Sequence, residues 1–597
     1  GASLPSRLGR GQLPLSPPPR LWFPRGVLAF LRQYFPYFRD YRKQFLFGFL
    51  AMAVAAGSTA AVAYLVRPVL DDIFIAKNAA MLAVLPLLVI AAYAGKGLGT
   101  FAQVYFISYV GNDIIRRLKD HFLAHLLRLD MAFFNRNRGG ELISRMVHDT
   151  NKVQQAVSVH IANFLREALT AAGLIAVVIY QSPKLAVIGL VVLPLAFWPL
   201  SLLARRMKRI SKRVQEKMSD IIASLGEIFN SVEIVKANNT EALEQERVAA
   251  HNRAFFRSEM KRVKTAQSVN PMMELLGAFA GAGVIVVGGQ SVISGELTVG
   301  AFFSFMTALF MLYTPIRQMS AIHNKFYEAI AANERINGYM ALQPEVVDGS
   351  AELAEPIRSL AYEDVSLRYT EEWALHGVST TLRERETVAL VGPSGSGKSS
   401  FVNLLLRFFD PQEGRVLVNG RDLREFRVHS LRARLAIVTQ RVYIFGDTIA
   451  ANVAYGQPLD PDRVERALRH AHAWEFVERL PAGTDTLLDE SGTNLSGGQR
   501  QRIAIARALY TDPEVLVMDE ATSALDNESE RAITRALEEI RHDRILILIA
   551  HRPATLRLAD RILVFEDGHL VGDGPEDELL ATCAPFQRLQ EQPAILR

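Results

Sequence analysis

The sequence predicts a multi-domain membrane protein: an all-α part with six transmembrane helices and long helical extensions, then an α/β domain of the P-loop kind. Three observations predict it. Six apolar stretches before about residue 325 approach the roughly 20 residues that cross a bilayer. A break between Pro344 and Pro356, carrying Asp348-Gly349-Ser350, separates them from a region of short apolar strands alternating with helices. Inside that region Gly392-Pro393-Ser394-Gly395-Ser396-Gly397-Lys398-Ser399 stands between an apolar run, Thr387 to Val391, and a helix-like stretch, Phe401 to Phe408.

A chain of 597 residues exceeds one ordinary domain. Hydrophobic residues make up 49% beside 22% charged, high for a soluble protein, and the two kinds are segregated along the chain. The net charge of +5 is modest. It gathers beside the apolar stretches, so it reads as membrane orientation, and no nucleic-acid partner is expected. A lone Cys583 makes no internal disulfide and lies in a part expected in the cytosol.

Residues 1–20 are rich in Pro, Gly and Ser, and 1–26 read as a disordered leader. The membrane domain is expected over 27–343. From Pro24 to Lys43, Leu28, Phe30, Leu31, Tyr34, Phe35, Tyr37 and Phe38 alternate with Arg25, Arg32, Arg39 and Arg42. That mixture before a span predicts an elbow helix lying in the membrane interface, with a plain soluble amphipathic helix as the alternative. The spans are expected near Phe45–Val66, Met81–Val110, His160–Gln181, Leu185–Ala204, Met272–Ile293 and Val299–Ile322. Connections after the first, third and fifth are short. Those after the second and fourth are long and basic, with Arg116, Arg117, Lys119, Arg128, Arg136 and Arg138 in one and Arg205, Arg206, Lys208, Arg209, Lys212 and Arg213 opening the other. The positive-inside rule puts both long loops and both termini in the cytosol.

Those loops read as continuations of the spans, because Ile114, Leu118, Phe122 and Leu126 keep helical spacing well past the second one. Gly139-Gly140 and Asn238-Asn239 mark reversals, with loop tips near Met131–Asn137 and Asn230–Asn238. Three basic residues fall within spans: Lys96 between two glycines, Arg166 beside Glu167, and Arg317 after a break at Thr314-Pro315. Intramembrane cations face a cavity or a partner, and three on different helices point to a pocket for an anionic substrate. The alternative is that Arg166 pairs with an acid such as Glu167 while the other two snorkel to the interface.

After a linker over 344–357, the α/β domain is expected over 358–597. Strand, glycine-rich turn and helix form the context that makes the G-x-x-x-x-G-K-S match a phosphate-binding loop. Lys398 would reach the β- and γ-phosphates and Ser399 would bind Mg²⁺. Tyr369 reads equally as a ring stacked on the base or as a core tyrosine. The apolar strand Val515 to Met518 delivers Asp519 and Glu520, the first for Mg²⁺ and the second to polarise an attacking water. Leu495-Ser496-Gly497-Gly498-Gln499 opens a helix carrying Arg500, Arg502 and Arg507 and forms a second anion nest.

In order, Tyr369, Gly392–Ser399, Gln440, Leu495–Gln499, Asp519-Glu520, Ser523–Asp526 and His551 resemble the motifs of ATP-binding cassette (ABC) proteins. The preceding spans with two long loops resemble the half-size exporters of that superfamily, of the type IV fold. The likeness runs from about residue 27 to the C-terminus. It implies ATP and Mg²⁺ as ligands and a homodimer in which two cassettes pair head to tail. Gly392, Ser394, Gly395, Ser396, Gly397, Lys398, Ser399 and Ser400 of one subunit would then share an ATP with Ser496, Gly497, Gly498 and Gln499 of the other. By the same resemblance Gln440 joins Mg²⁺ and the attacking water, His551 contacts the γ-phosphate, and Asp526 signals across the dimer. Pro553 after His551-Arg552 and Asp489-Glu490-Ser491-Gly492 before the signature depart from the family pattern.

Among half-size exporters the chain resembles the bacterial lipid A flippases. Arg67-Pro68-Val69-Leu70-Asp71-Asp72 is similar to a stretch of theirs, and Lys96, Arg166 and Arg317 are similar in placement to their lipid-facing basic residues; Thr314 departs, where a basic residue is expected. The resemblance implies a bacterial inner-membrane exporter that flips an anionic lipid from inner to outer leaflet by alternating access, with its cassettes in the cytosol. A multidrug exporter is the alternative within the class. A cassette ATPase without transport is the alternative outside it, and six apolar stretches argue against that.

Overall fold

The computed structural model describes residues 30, 32–34, 39–519, 527–550 and 553–591. They divide into two compact units: residues up to 123 with 143–340, and residues 124–142 with 341–597.

The first unit is helical. Its long helices, two of which extend into residues 124–142 of the second unit, are Arg42–Pro68, Ala79–Leu126, Gly139–Gln181 (with π-type turns at Arg145–Asp149 and Ala156–His160), Pro183–Asn230, Glu241–Gln267, Val269–Ile293 and Val299–Met340. Each of the six expected spans falls in one of them. Among the described residues four, within Arg39–Ile75, Ala79–Leu126, Gly139–Gln181 and Val299–Met319, are long and apolar enough to cross a membrane. The helices Ala79–Leu126 and Pro183–Asn230 have 48 residues each. At 1.5 Å per residue that is about 70 Å, against a hydrocarbon layer of about 30 Å. The surplus forms the extensions that the periodicity past the second span predicts.

Local chemistry sets where these rods stop. Ser182 accepts a hydrogen bond from the Leu185 amide and Pro183 follows at the first helical position, the usual start signal. Asn239 takes a left-handed φ of 53° and turns the chain after the short helix Val232–Ala237, as the Asn pair suggests. Gly139-Gly140 behaves otherwise. The pair opens the next helix, and the reversal occurs over Leu127–Asp130 and at Asn137-Arg138, on either side of the short helix Met131–Arg136. No break appears at Thr314-Pro315 either: the helix Val299–Met340 runs through Pro315, which neighbouring packing allows inside membrane helices.

Apolar packing centres on Ala63, Leu174, Val178, Leu185, Phe305, Ala308 and Leu312. Polar bonds fix its register. Gln181 donates to Ser304 (3.0 Å), which donates to the Ala63 carbonyl (2.8 Å). Asp71 accepts from the Gly300 amide (2.8 Å) and the Thr298 hydroxyl (2.6 Å), capping the last long helix. In the elbow, Phe30 and Tyr34 are buried and the Tyr34 hydroxyl donates to Asn333 (2.6 Å). Phe30 and Tyr34 of that segment therefore pack on protein, and Phe35, Tyr37 and Phe38 lie outside the described residues.

In the second unit a four-stranded antiparallel sheet has the order β2-β1-β4-β5, where β1 is Ser359–Arg368, β2 Trp373–Arg383, β4 Glu413–Val418 and β5 Arg421–Asp422. A six-stranded sheet has the order β10-β9-β3-β8-β7-β6, with β3 Thr387–Val391, β6 Leu435–Val438, β7 Val515–Asp519, β8 Ile545–Ile549, β9 Arg561–Glu566 and β10 His569–Gly574. Strands β9, β3, β8, β7 and β6 are parallel. Every residue of β3 and β8 is buried, which is why they read as unbroken apolar runs instead of alternating ones.

Candidate nucleotide-binding site

The parallel strands deliver the sequence-predicted residues to one edge. Cross-strand register runs Asp519–Ile549–Leu390, so Asp519 stands level with the point where β3 gives way to the glycine-rich loop. Gln440 lies two residues past Val438, which pairs with Met518. The C-terminal edge of a parallel sheet is where α/β folds bind ligands.

In the loop, two glycines are sterically required. Gly392 has φ of 148° and an added Cβ would sit 2.2 Å from the Phe565 carbonyl oxygen. Gly397, with φ of 108°, would meet the Ala374 oxygen at 2.6 Å. Both let the backbone curl tightly before the helix Lys398–Leu405, whose first-turn amides have no acceptor inside the helix. Lys398 is buried and its ammonium donates to the carbonyls of Gly392 and Pro393, at 2.8 Å each. The Ser396 hydroxyl is buried with no hydrogen-bond partner among the described residues. An unsatisfied buried hydroxyl costs about 1–3 kcal/mol, and a phosphate oxygen is the partner that would satisfy it. Loop curvature, lysine and orphaned hydroxyl together fit a nucleoside triphosphate. Ser399, Gln440 and Asp519 supply hydroxyl, amide and carboxylate oxygens, the hard donors Mg²⁺ takes.

Tyr369 occupies the bend after β1 and is 40% exposed, so it is not a core tyrosine. Asn403, on the loop's helix, donates to its hydroxyl (3.1 Å), and Phe409 meets its ring edge-on at 4.9 Å. Those contacts fix the ring and leave surface for a base. A cleft of about 570 Å³ opens here, lined by Tyr369, Ser399, Ser400, Asn403, Phe408 and Phe409. No sequence motif marks Asn403 or Phe409, because nothing local signals a side chain whose task is to orient another.

Ser496 opens a helix, as the sequence suggests. Ser496 accepts from the Gln499 amide (3.2 Å) while the Gln499 side chain accepts from the Ser496 amide (2.9 Å), a full capping box on the helix Gly497–Tyr510. Its arginines do other work. Arg500 donates to the carbonyls of Gly492 and Leu495, Arg502 to His472, and Arg507 to Asn452 and Tyr443. Burial pulls the Arg507 guanidinium below its ordinary pKa. Those three side chains tie the helix to the neighbouring backbone.

Glu520, Asp526 and His551 lie outside the described residues. In the helical unit Arg166 donates to Glu167 at 2.7 Å, and both are largely buried, so the pairing alternative describes Arg166. Lys96 and Arg317 are exposed on the single chain, the latter over the Tyr313 ring at 5.9 Å.

Two family profiles match the chain: the ABC transporter transmembrane region over residues 45–316 and ABC transporter over residues 375–523. An ATP-dependent lipid A-core flippase of Desulfotalea psychrophila is 39% identical over 552 residues, 92% of this chain and 96% of the relative. A protein of the same name from Syntrophus aciditrophicus is 36% identical over 556 residues, 93% and 92% of the two chains. Among solved structures, a bacterial Atm1-family ABC exporter with ATP bound is similar at a TM-score of 0.76 and 28% identity, covering 93% of this chain and 98% of that one.

Proposed function

We propose, for a chain that belongs to the ABC transporter family, that the cargo is an anionic lipid of the lipid A-core kind. The protein has the membrane region and the single cassette of a half-size exporter, and its cassette is an ATPase coupled to transport. The observation that carries the cargo is likeness along the whole length: the relatives named as flippases are matched over 96% and 92% of their own chains, membrane region included. Exposed Lys96 and Arg317 are the cations that would meet a phosphorylated headgroup; Arg166 contributes only if it leaves Glu167.

Two copies make the working unit in this reading. Lys398 leaves the carbonyls of Gly392 and Pro393 for the β- and γ-phosphates, and Ser396 gains its missing partner. Ser496 and Gly498 of the partner subunit close the other side of the same nucleotide. Mg²⁺, held by Ser399, Gln440 and Asp519, would neutralise charge on the phosphates. Glu520 polarises the attacking water and His551 contacts the γ-phosphate. Closure of the cassettes, favoured only as far as ATP binds the closed state more tightly, moves the loop tips and turns the membrane cavity outward. Cassettes and termini lie on the cytosolic side of the bacterial inner membrane.

A leaflet-translocation assay in proteoliposomes tests this. ATP should drive lipopolysaccharide from the inner to the outer leaflet faster than it exports an amphipathic dye. Dye export without lipid movement would move the protein to the multidrug class.

A further inference from the structure

The first loop tip is bonded to the chain that leads into the cassette. Asp130 caps the tip helix Met131–Arg136, accepting from the Phe133 amide at 3.3 Å through one oxygen. Through the other it accepts from the Glu345 amide at 2.6 Å. A carboxylate with two backbone donors makes charge-assisted bonds, stronger than neutral ones. Arg136 adds an exposed ion pair to Glu345 at 4.0 Å, which by itself contributes little. Two residues on, the Val347 carbonyl accepts from Arg407 at 2.6 Å. Arg407 is 1% exposed and also donates to the Phe426 carbonyl (3.0 Å). It stands two residues beyond the end of the helix Lys398–Leu405 that carries the phosphate loop. Asp348 accepts from the Val428 amide at 2.7 Å, and an added Cβ on Gly349 would lie 2.3 Å from the Glu425 oxygen. The segment 345–349 is thus bolted to the cassette at one end and to the loop tip at the other.

We propose that Asp130 is a positioning residue for coupling: its bond to the Glu345 amide passes movement of the phosphate-loop helix, through Arg407 and residues 345–347, to the first loop tip. The inference builds on the exporter reading above. It differs from simple contact between a loop and a cassette, because the path is a short series of named bonds with one carboxylate at its end.

Three substitutions in the full-length protein in proteoliposomes separate the roles. Asp130→Ala removes cap and latch, Asp130→Ser keeps the cap but is too short for the latch, and Asp130→Asn keeps a single acceptor oxygen, enough for one of the two bonds. Lipid A translocated per ATP hydrolysed should fall about five-fold or more in the Ala and Ser variants and by less in Asn, with basal ATPase retained in all. Hydrogen exchange at the Glu345 amide, read without any substrate, should accelerate in Ala and Ser, and less in Asn. Transport and ATPase falling in parallel, or Ser behaving as wild type, overturns the proposal. Unchanged exchange at Glu345 overturns it as well. If wild type moves a dye and not lipid A, the cargo reading fails, and the same ratios measured with the dye still decide the latch.

Discussion

Tyr369 is held from below by Asn403 and from the edge by Phe409, so its two ends have separable roles. Stacking of a base on an aromatic ring contributes about 1–3 kcal/mol. Tyr369→Ala should therefore raise the KM for ATP about ten-fold, while Tyr369→Phe, which loses only the bond from Asn403, should stay within about two-fold. Steady-state ATPase at varied ATP reads both. A second tyrosine sets a pH limit. Tyr362 is fully buried and its hydroxyl donates to the Phe401 carbonyl at 2.9 Å; burial pushes its pKa well above the ordinary value. In the unfolded chain the phenol ionises near pH ~10, and in the folded one it stays neutral. A raised folded pKa means the contribution is whole below pH ~10 and declines as pH rises above it. The denaturation midpoint of the cassette should fall more steeply from pH 9 to 11 in wild type than in Tyr362→Phe, a variant about 1 kcal/mol less stable at neutral pH. Equal slopes would show that Tyr362 is not the group responsible.

At the scale of elements, the signature helix shows how a motif and its support divide the work. Its N-terminus is finished by Ser496 and Gln499, and its body is anchored by Arg507, whose guanidinium donates to Asn452 O (2.8 Å), Asn452 Oδ1 (2.8 Å) and Tyr443 O (2.9 Å). Arg507→Met keeps the apolar stem and strands those acceptors, a loss of about 3 kcal/mol. The cassette's thermal transition should drop by roughly 6–12 °C. Arg507→Lys should recover little, since one ammonium cannot span the set of acceptors a planar fork reaches. Full stability in the Met variant would mean that water replaces the arginine. The helix itself was legible in the sequence, because Ser496, Gln499 and the apolar positions after them are contiguous. The task of Arg507 was not, because Asn452 lies 55 residues away and nothing local signals the contact. Asp130 falls between these cases: an Asp at the start of a short apolar run is a helix-start signal, but its second bond, 215 residues along the chain, leaves no such trace.

For the whole molecule, two copies are required if each ATP lies between Lys398 of one subunit and Ser496 of the other. Homodimers of Lys398→Ala or Ser496→Arg should lack ATPase activity. A doubly tagged mixed dimer of the two variants retains one intact site and should recover activity that neither parent shows. Failure to recover would place both motifs on one subunit's nucleotide. The cargo is tested at the same scale: changing Lys96 and Arg317 together to Gln should weaken the apparent affinity for lipid A about ten-fold or more and leave that for a neutral dye nearly unchanged. Equal losses would remove the anionic pocket. The sequence alone determined the two-part architecture, the six apolar stretches with their two long extensions, and the glycine-rich loop with the apolar strand that ends at Asp519. Each of these is written in neighbouring residues, as helical period, strand run or glycine spacing. Only the tertiary structure decided which charged residues are already spoken for. Asp71 is taken by the Gly300 amide, Asp130 by the Glu345 amide, and Arg407 by the Val347 carbonyl. A side chain's partner depends on where the fold brings distant backbone polar groups, and a linear pattern of residue types does not record that.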